Sequence, residues 1–293
     1  MSESTFSFPE WLQEHVPDDS LFALAYGDIP AEKRALIKTS IARLYDWYGP
    51  CRHVGLEENR RFPAGFTASS RMEPVEFAVV LFDSSILSPA RLLAGIVPAI
   101  AAGIRDVVAV RVGKGGPWRK AVLTGLELVG QEFVADLTEL QTKRLFSELR
   151  DTGRPGAVTV LGPKAAAIKT VELQAASRIS FWRPRYRRAA TVWMDDENTF
   201  DLEALAFMHP DIIFSVFGTE VELPADNFSY EGNGFDDCLD SIMDVAYMPI
   251  ARADVAQSRA KLTLCPGQEG CWVWPDLHLD HFLFHTTTWA IGD

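Results

Sequence analysis

Apolar residues recur at spacings of three and four along the first part of the chain. Leu21, Phe22, Leu24 and Tyr26 run up to Gly27, and Pro30 opens a second series, Leu36, Ile37, Ile41, Leu44 and Tyr45, that ends at Gly49. This spacing gathers side chains on one helix face, with proline near the start and glycine past the end. Residues 49–72 lose the period and carry Pro50, Gly55, Pro63 and Gly65, which reads as an irregular loop or boundary. From 75 the texture changes. Residues 75–82 are almost continuously apolar, the pattern of a strand covered on both faces. Ser84, Ser85, Ser88 and Pro89 mark a helix start, and 89–102 reads as that helix, closed by Gly103.

The alternation continues. A strand at 107–112 leads through Gly113–Pro117 into a helix ending at Gly130. A short strand at 133–135, a helix at 138–149, a strand at 157–161 and an alanine-rich helix after Gly162-Pro163 follow. Strands alternating with helices of this length require crossover connections and a parallel sheet. The fold class expected is therefore α/β: a parallel, doubly wound (Rossmann-like) sheet with helices on both faces, an N-terminal helical segment and a C-terminal mixed region. The expected division is 1–72 helical, 73–178 nucleotide-binding-type core and 179–293 a second α/β subdomain. Within the last part, 179–193 reads as strand, 200–207 as helix, 212–217 as strand, 224–234 as polar loop and 235–245 as helix.

Composition narrows the function. The 293 residues are 47% hydrophobic and 23% charged, enough for a large core. Acidic residues number 40 against 28 basic, a net charge of −12, which argues against a nucleic-acid partner. The opening residues carry no basic stretch before an apolar core, and no uninterrupted apolar run is long enough to span a membrane. Four cysteines in a chain of this length do not make a disulfide scaffold. A cytoplasmic protein without membrane partners, acting on a small molecule, is expected.

Three segments then resemble one family. Residues 84–112 carry Ile96-Val97-Pro98-Ala99, Ala102-Gly103 and Val108-Ala109-Val110. They are similar to the I-P-A-x-x-A-G helix and V-x-V strand of the histidinol dehydrogenases. LTGLELVGQEFV (123–134) and TVLGPKAAAI (159–168) resemble that family's next two units, in the same order. The core is also similar to that of aldehyde dehydrogenases. The resemblance implies an NAD-dependent oxidoreductase acting on a small alcohol or aldehyde. It places the dinucleotide across the sheet ends, with Ser84, Ser85, Gly162 and Lys164 near its phosphates. It further implies a homodimer in which a terminal segment reaches the neighbouring subunit. The sequence departs from the pattern in two ways. The family's P-E-H-L, whose Glu and His handle protons, has no counterpart. In DLEALAFMHPD (201–211), similar to D-L-L-x-Q-A-E-H-D, Leu205 stands where the family has a zinc-binding Gln, and the histidine is shifted by one to His209. A leucine cannot hold zinc. The alternative function is a non-catalytic ligand- or partner-binding descendant of the same fold.

Other candidates come from the residues themselves. His278, His281 and His285 share one face if 276–284 is helical, and imidazoles with nearby Asp276 and Asp280 suit zinc; a surface or partly buried histidine cluster is the other reading. GQEGC, ending at Cys271, is similar to the G-Q-x-C of the aldehyde dehydrogenase nucleophile, one residue too long; Cys271 is thus a candidate nucleophile or a structural thiol. Gly113-Lys114-Gly115-Gly116 follows a strand but lacks phosphate-loop spacing. Arg183, Arg185 and Arg187 would share one strand face, binding a carboxylate or phosphate, pairing with Asp195, Asp196 or Glu197, or blunting a sheet edge. Asp236, Asp240 and Asp244 would share a solvated helix face.

Overall fold

The computed structural model describes residues 6–49, 56–113, 116–168, 178–185 and 187–291. Two five-stranded parallel sheets and a three-stranded antiparallel arm organise the chain. The first sheet has the order β5-β4-β3-β6-β7, built from β3 (Phe77–Asp83), β4 (Asp106–Val112), β5 (Val134–Leu137), β6 (Gly156–Leu161) and β7 (Ile179–Trp182). All seven residues of β3 are buried. Ala78, Val80 and Phe82 enter one core and Phe77, Val79 and Leu81 the other, because successive strand side chains point to opposite faces. The first core meets α3 (Pro89–Ala101), α4 (Lys120–Val129), α1 (Asp19–Asp28) and α2 (Ala31–Tyr48). The second meets α5 (Glu139–Asp151) and Leu12. The α/β doubly wound architecture is as the pattern of apolar positions implies.

Local chemistry sets the helix ends. Ser88 accepts a hydrogen bond from the Arg91 N–H and Pro89 takes the first turn of α3. Thr138 and Gln141 form a reciprocal capping box on α5. Gly130 closes α4 in the left-handed region, at φ 73°. Gly156 is required for packing: a Cβ there would lie 2.2 Å from the buried Phe77 ring.

The second sheet has the order β10-β9-β8-β11-β12, with β8 (Ala189–Met194), β9 (Ile213–Gly218), β10 (Phe228–Gly232), β11 (Val245–Tyr247) and β12 (Leu262–Leu264). Helix α6 (Pro163–Ala167) follows β6 of the first sheet, and helices α7 (Leu202–Met208), α8 (Phe235–Ser241) and α9 (Ile250–Gln257) connect the strands of the second. Val192, Phe214, Val216 and Tyr247 join the same core as Val80 and Leu93, so one apolar layer spans both sheets.

Several expectations change. Residues 49–72 hold β1 (Leu56–Arg61) and β2 (Phe66–Pro74), which form the arm with β13 (Leu283–Ile291) in the order β1-β2-β13. Every residue of β1 is exposed, so no hydrophobic alternation marked it. The expected strand 179–193 is two strands in different sheets, separated by a linker containing Pro184, so Arg183, Arg185 and Arg187 do not alternate along one strand. The expected helix 235–245 ends at Ser241. Asp244 lies beyond it, buried, accepting from the Arg187 N–H and pairing with Lys261, rather than on a solvated helix face. The expected polar loop 224–234 contains β10. The Gly113–Gly116 loop includes positions 114 and 115, which lie outside the described residues, as does the continuation of the alanine-rich helix beyond 168. No helix among the described residues is long and apolar enough to cross a membrane.

Gly156→Ala should lower stability by about 1–3 kcal/mol, because the Phe77 ring has no free space to move into. Urea unfolding followed by circular dichroism measures this loss.

Candidate functional site

The strand order of the first sheet reverses between β3 and β6, and ligands of open parallel sheets bind outside the strand ends at such a point. Asp83 ends β3 there and is fully buried. Its carboxylate accepts hydrogen bonds from the Lys164 N–H (2.7 Å), the Ala165 N–H (3.1 Å), the Ser85 N–H (2.9 Å) and the Ser85 hydroxyl. Gly162 has φ 94°, and a Cβ there would collide with the same carboxylate. The structure thus brings Ser85, Gly162 and Lys164 together, and Ser84 lies beside them. The backbone donors that would meet a dinucleotide phosphate are spent on Asp83, and its negative charge repels a second anion. Ser85, Gly162 and Lys164 do not fit a phosphate at this turn.

Beyond Ser85 the charge changes sign. Arg188 donates to the Ser85 carbonyl (3.0 Å) and hydroxyl oxygen (2.6 Å). Arg188 also lines a cavity of about 520 Å³ with Arg91, Arg183, Arg185, Gly162 and Pro163. Arg91 is 3% exposed and pairs with Asp211 at 2.8 Å, while its Nε has no hydrogen-bond partner. Burial disfavours the charged form of Arg91 and the nearby Arg188 charge adds to this, with Asp211 opposing both through charge and hydrogen bonding. Arg183 and Arg185 have no carboxylate partner among the described residues, and Asp195 pairs instead with Arg252. Among the described residues, no acidic one lines the cavity.

Behind Arg91 lies a sealed polar network. The His209 Nε2–H donates to the Glu269 carbonyl (3.0 Å), so Nδ1 is left to accept from the Ser88 hydroxyl (3.3 Å). Burial first, and the Arg91 charge second, push the His209 pKa down to about 3. The imidazole is neutral and its two nitrogens face protein partners. The Arg91 guanidinium lies over the rings of Trp272 (5.5 Å) and Trp274 (5.3 Å), whose indole N–H donates to the Arg91 carbonyl.

The remaining candidates lie apart. Cys271 is buried; its Sγ accepts from Arg43 at 3.2 Å, and burial pushes the thiol up despite that cation. The segment 276–284 is not helical: Leu279–Phe282 forms a single 3-10 turn and β13 begins at Leu283, so His278, His281 and His285 do not share a helix face. His285 stands in the exposed arm opposite Met72, while burial pushes His281 down to about 4. Among the described residues no group of three or more His, Cys, Asp or Glu side chains is placed to hold a metal ion. The histidines therefore do not fit zinc. Sequence reasoning missed Asp83, Arg91 and Asp211 as partners; only the isolated charges within otherwise apolar runs marked them.

No family model matches this chain, and no curated protein matches it. Its fold is shared with solved structures. Histidinol dehydrogenase from Elizabethkingia anophelis superposes with a TM-score of 0.59 at 13% identity, covering 96% of this chain and 78% of that one. Succinate-semialdehyde dehydrogenase from Burkholderia pseudomallei gives 0.50 at 10% identity, covering 94% and 84%. The chain has a divergent dehydrogenase-like fold.

Stability should fall as pH drops below about 6.5, toward about 3. In that window the unfolded His209 takes a proton that the folded one refuses, so the unfolded state binds more protons. His209→Gln should flatten the slope by about 1.4 kcal/mol per pH unit. Urea midpoints compared at pH 7 and pH 5 give the test.

Proposed function

We propose that this chain is a ligand-binding descendant of the dehydrogenase-like fold, taking a small oxyanion, a carboxylate or phosphate, in the arginine cavity. The observation that carries this reading is the convergence of Arg91, Arg183, Arg185 and Arg188 on one cavity with no acidic lining residue among the described ones, in a chain of net charge −12. Like charges held together repel, and an anion between them removes that cost. Planar guanidinium forks match both anion classes. The sealed position of His209 supports binding over proton transfer. Free thiols at Cys238, Cys265 and Cys271 suit the cytoplasm.

A second reading, an NAD-dependent oxidoreductase for a small alcohol or aldehyde, draws support from another cavity of about 840 Å³ at the ends of β3 and β4, lined by Ser84, Trp118 and Lys120. Calorimetric titration with malonate, inorganic phosphate and NAD separates the two. Malonate or phosphate should bind, with Arg183→Ala/Arg185→Ala weakening it at least tenfold; each lost charge-assisted bond is worth about 1.5–3 kcal/mol. NAD binding with reduction by a simple aldehyde or alcohol would sink the binding-only reading.

We further propose a homodimer through the arm. Trp289 is 72% and Ile291 95% exposed there, an apolar edge on an otherwise polar sheet. Light scattering should show twice the chain mass, and Trp289→Ser/Ile291→Ser should return a monomer.

A further inference from the structure

A separate cavity of about 490 Å³, sharing no lining residue with the arginine cavity, is walled by α2, the end of α9, the edge strand β12 and the 265–275 segment. Its walls are mainly apolar, with Leu44, Trp47, Leu262 and Val273 among them. Its volume falls in the range of small-molecule sites, which join an apolar body to a few polar groups. Two features distinguish it from a packing defect. First, Ser40, Thr263 and Trp272 stand in its wall, and each holds a buried polar atom with no hydrogen-bond partner: two hydroxyls and an indole N–H. Buried polar groups are otherwise almost always satisfied, because leaving one unpaired costs about 1–3 kcal/mol. Second, among the described residues none lining the cavity is acidic, in a chain with 40 acidic residues, whereas Arg43 and Lys261 both line it. Lys261 pairs with Asp244. Arg43 donates to the Gly267 carbonyl (2.5 Å), Gln268 Oε1 (2.9 Å) and Cys271 Sγ (3.2 Å), and has no carboxylate partner among the described residues.

We infer that this cavity binds an amphipathic monocarboxylic acid, with Arg43 meeting the carboxylate and the aliphatic or aromatic body lying along Leu44, Trp47, Leu262 and Val273. Arg43, a cation held only by neutral acceptors among the described residues, supplies charge complementarity, and the orphaned hydroxyls and indole N–H supply donors for oxygen once the wall relaxes around the ligand. The inference is independent of the oxyanion reading, since no arginine of that cavity lines this one.

Cys265 gives a local reporter, because it lines the cavity and is only partly buried. Octanoate is the probe, with octanamide as its uncharged counterpart. Octanoate should slow maleimide labelling of Cys265, read site by site by mass spectrometry, at least fivefold, and calorimetry should show it binding at least tenfold tighter than octanamide. Arg43→Gln should abolish that preference, whereas Arg183→Ala/Arg185→Ala should leave both protection and preference intact. Unchanged Cys265 labelling at saturating octanoate overturns the inference, as does equal affinity for the two probes or a preference that survives Arg43→Gln. Should Arg43→Gln fail to fold, the octanoate and octanamide comparison on the unmodified protein decides alone.

Discussion

The contact between Arg91 and Asp211 joins the two halves of the molecule. Arg91 lies in the first turn of α3, which packs on the first sheet; Asp211 lies just before β9 of the second. Both side chains are about 4% exposed. Taking two charges out of water is costly, and removing one partner of such a pair costs about 3–5 kcal/mol, because the other remains buried and unpaired. The pair is therefore a statement about geometry more than about net stability. It holds only if the two sheets approach at one distance and angle. The Ser88–His209–Glu269 chain and the Trp272 and Trp274 rings packed near Arg91 depend on the same placement.

The same junction sets the charge at the ends of the first sheet. In a doubly wound sheet the turn after β3 and the turn after β6 face each other across the switch point. Here Asp83 bridges them with its own carboxylate, so an internal anion holds the place that the fold leaves for an external one. Ser85 then links that carboxylate to Arg188, passing the polarity outward to the arginine cavity. Positive charge thus gathers beyond Ser85, on guanidinium groups, while the backbone amides of the turn are held by Asp83.

How far all this could be read from the residues varies along the chain. The first sheet was legible because β3, β4 and β6 are covered on both faces and so are almost wholly apolar, and because Pro89, Gly130 and Gly162 punctuate the helices. Hydrophobic period fails where burial fails: Leu56–Arg61 is a strand whose every residue is exposed. It also fails where elements are too short to show one, as with Val245–Tyr247 and Leu262–Leu264. The turns of the candidate site were visible as Ser84-Ser85 and Gly162-Pro163-Lys164, but what fills them was not. Asp83 reads as the polar end of a strand, and nothing local shows that its carboxylate reaches across to residues eighty positions away. The arginines were conspicuous; that a proline-containing linker between sheets carries Arg183 and Arg185, while Arg91 joins them from a helix, is a fact of topology alone.

The arm has a consequence for how the chain is made. Thr67 on β2 and Ala290 on β13 are hydrogen-bonded across 223 positions. During synthesis, β1 and β2 emerge long before β13, and their hairpin has an open flank while both parallel sheets are being assembled. A bare strand edge recruits whatever strand is nearby, including its equivalent on another nascent copy. On polysomes, where neighbouring copies lengthen side by side, the arm is thus the segment through which this chain is most prone to exchange strands between molecules.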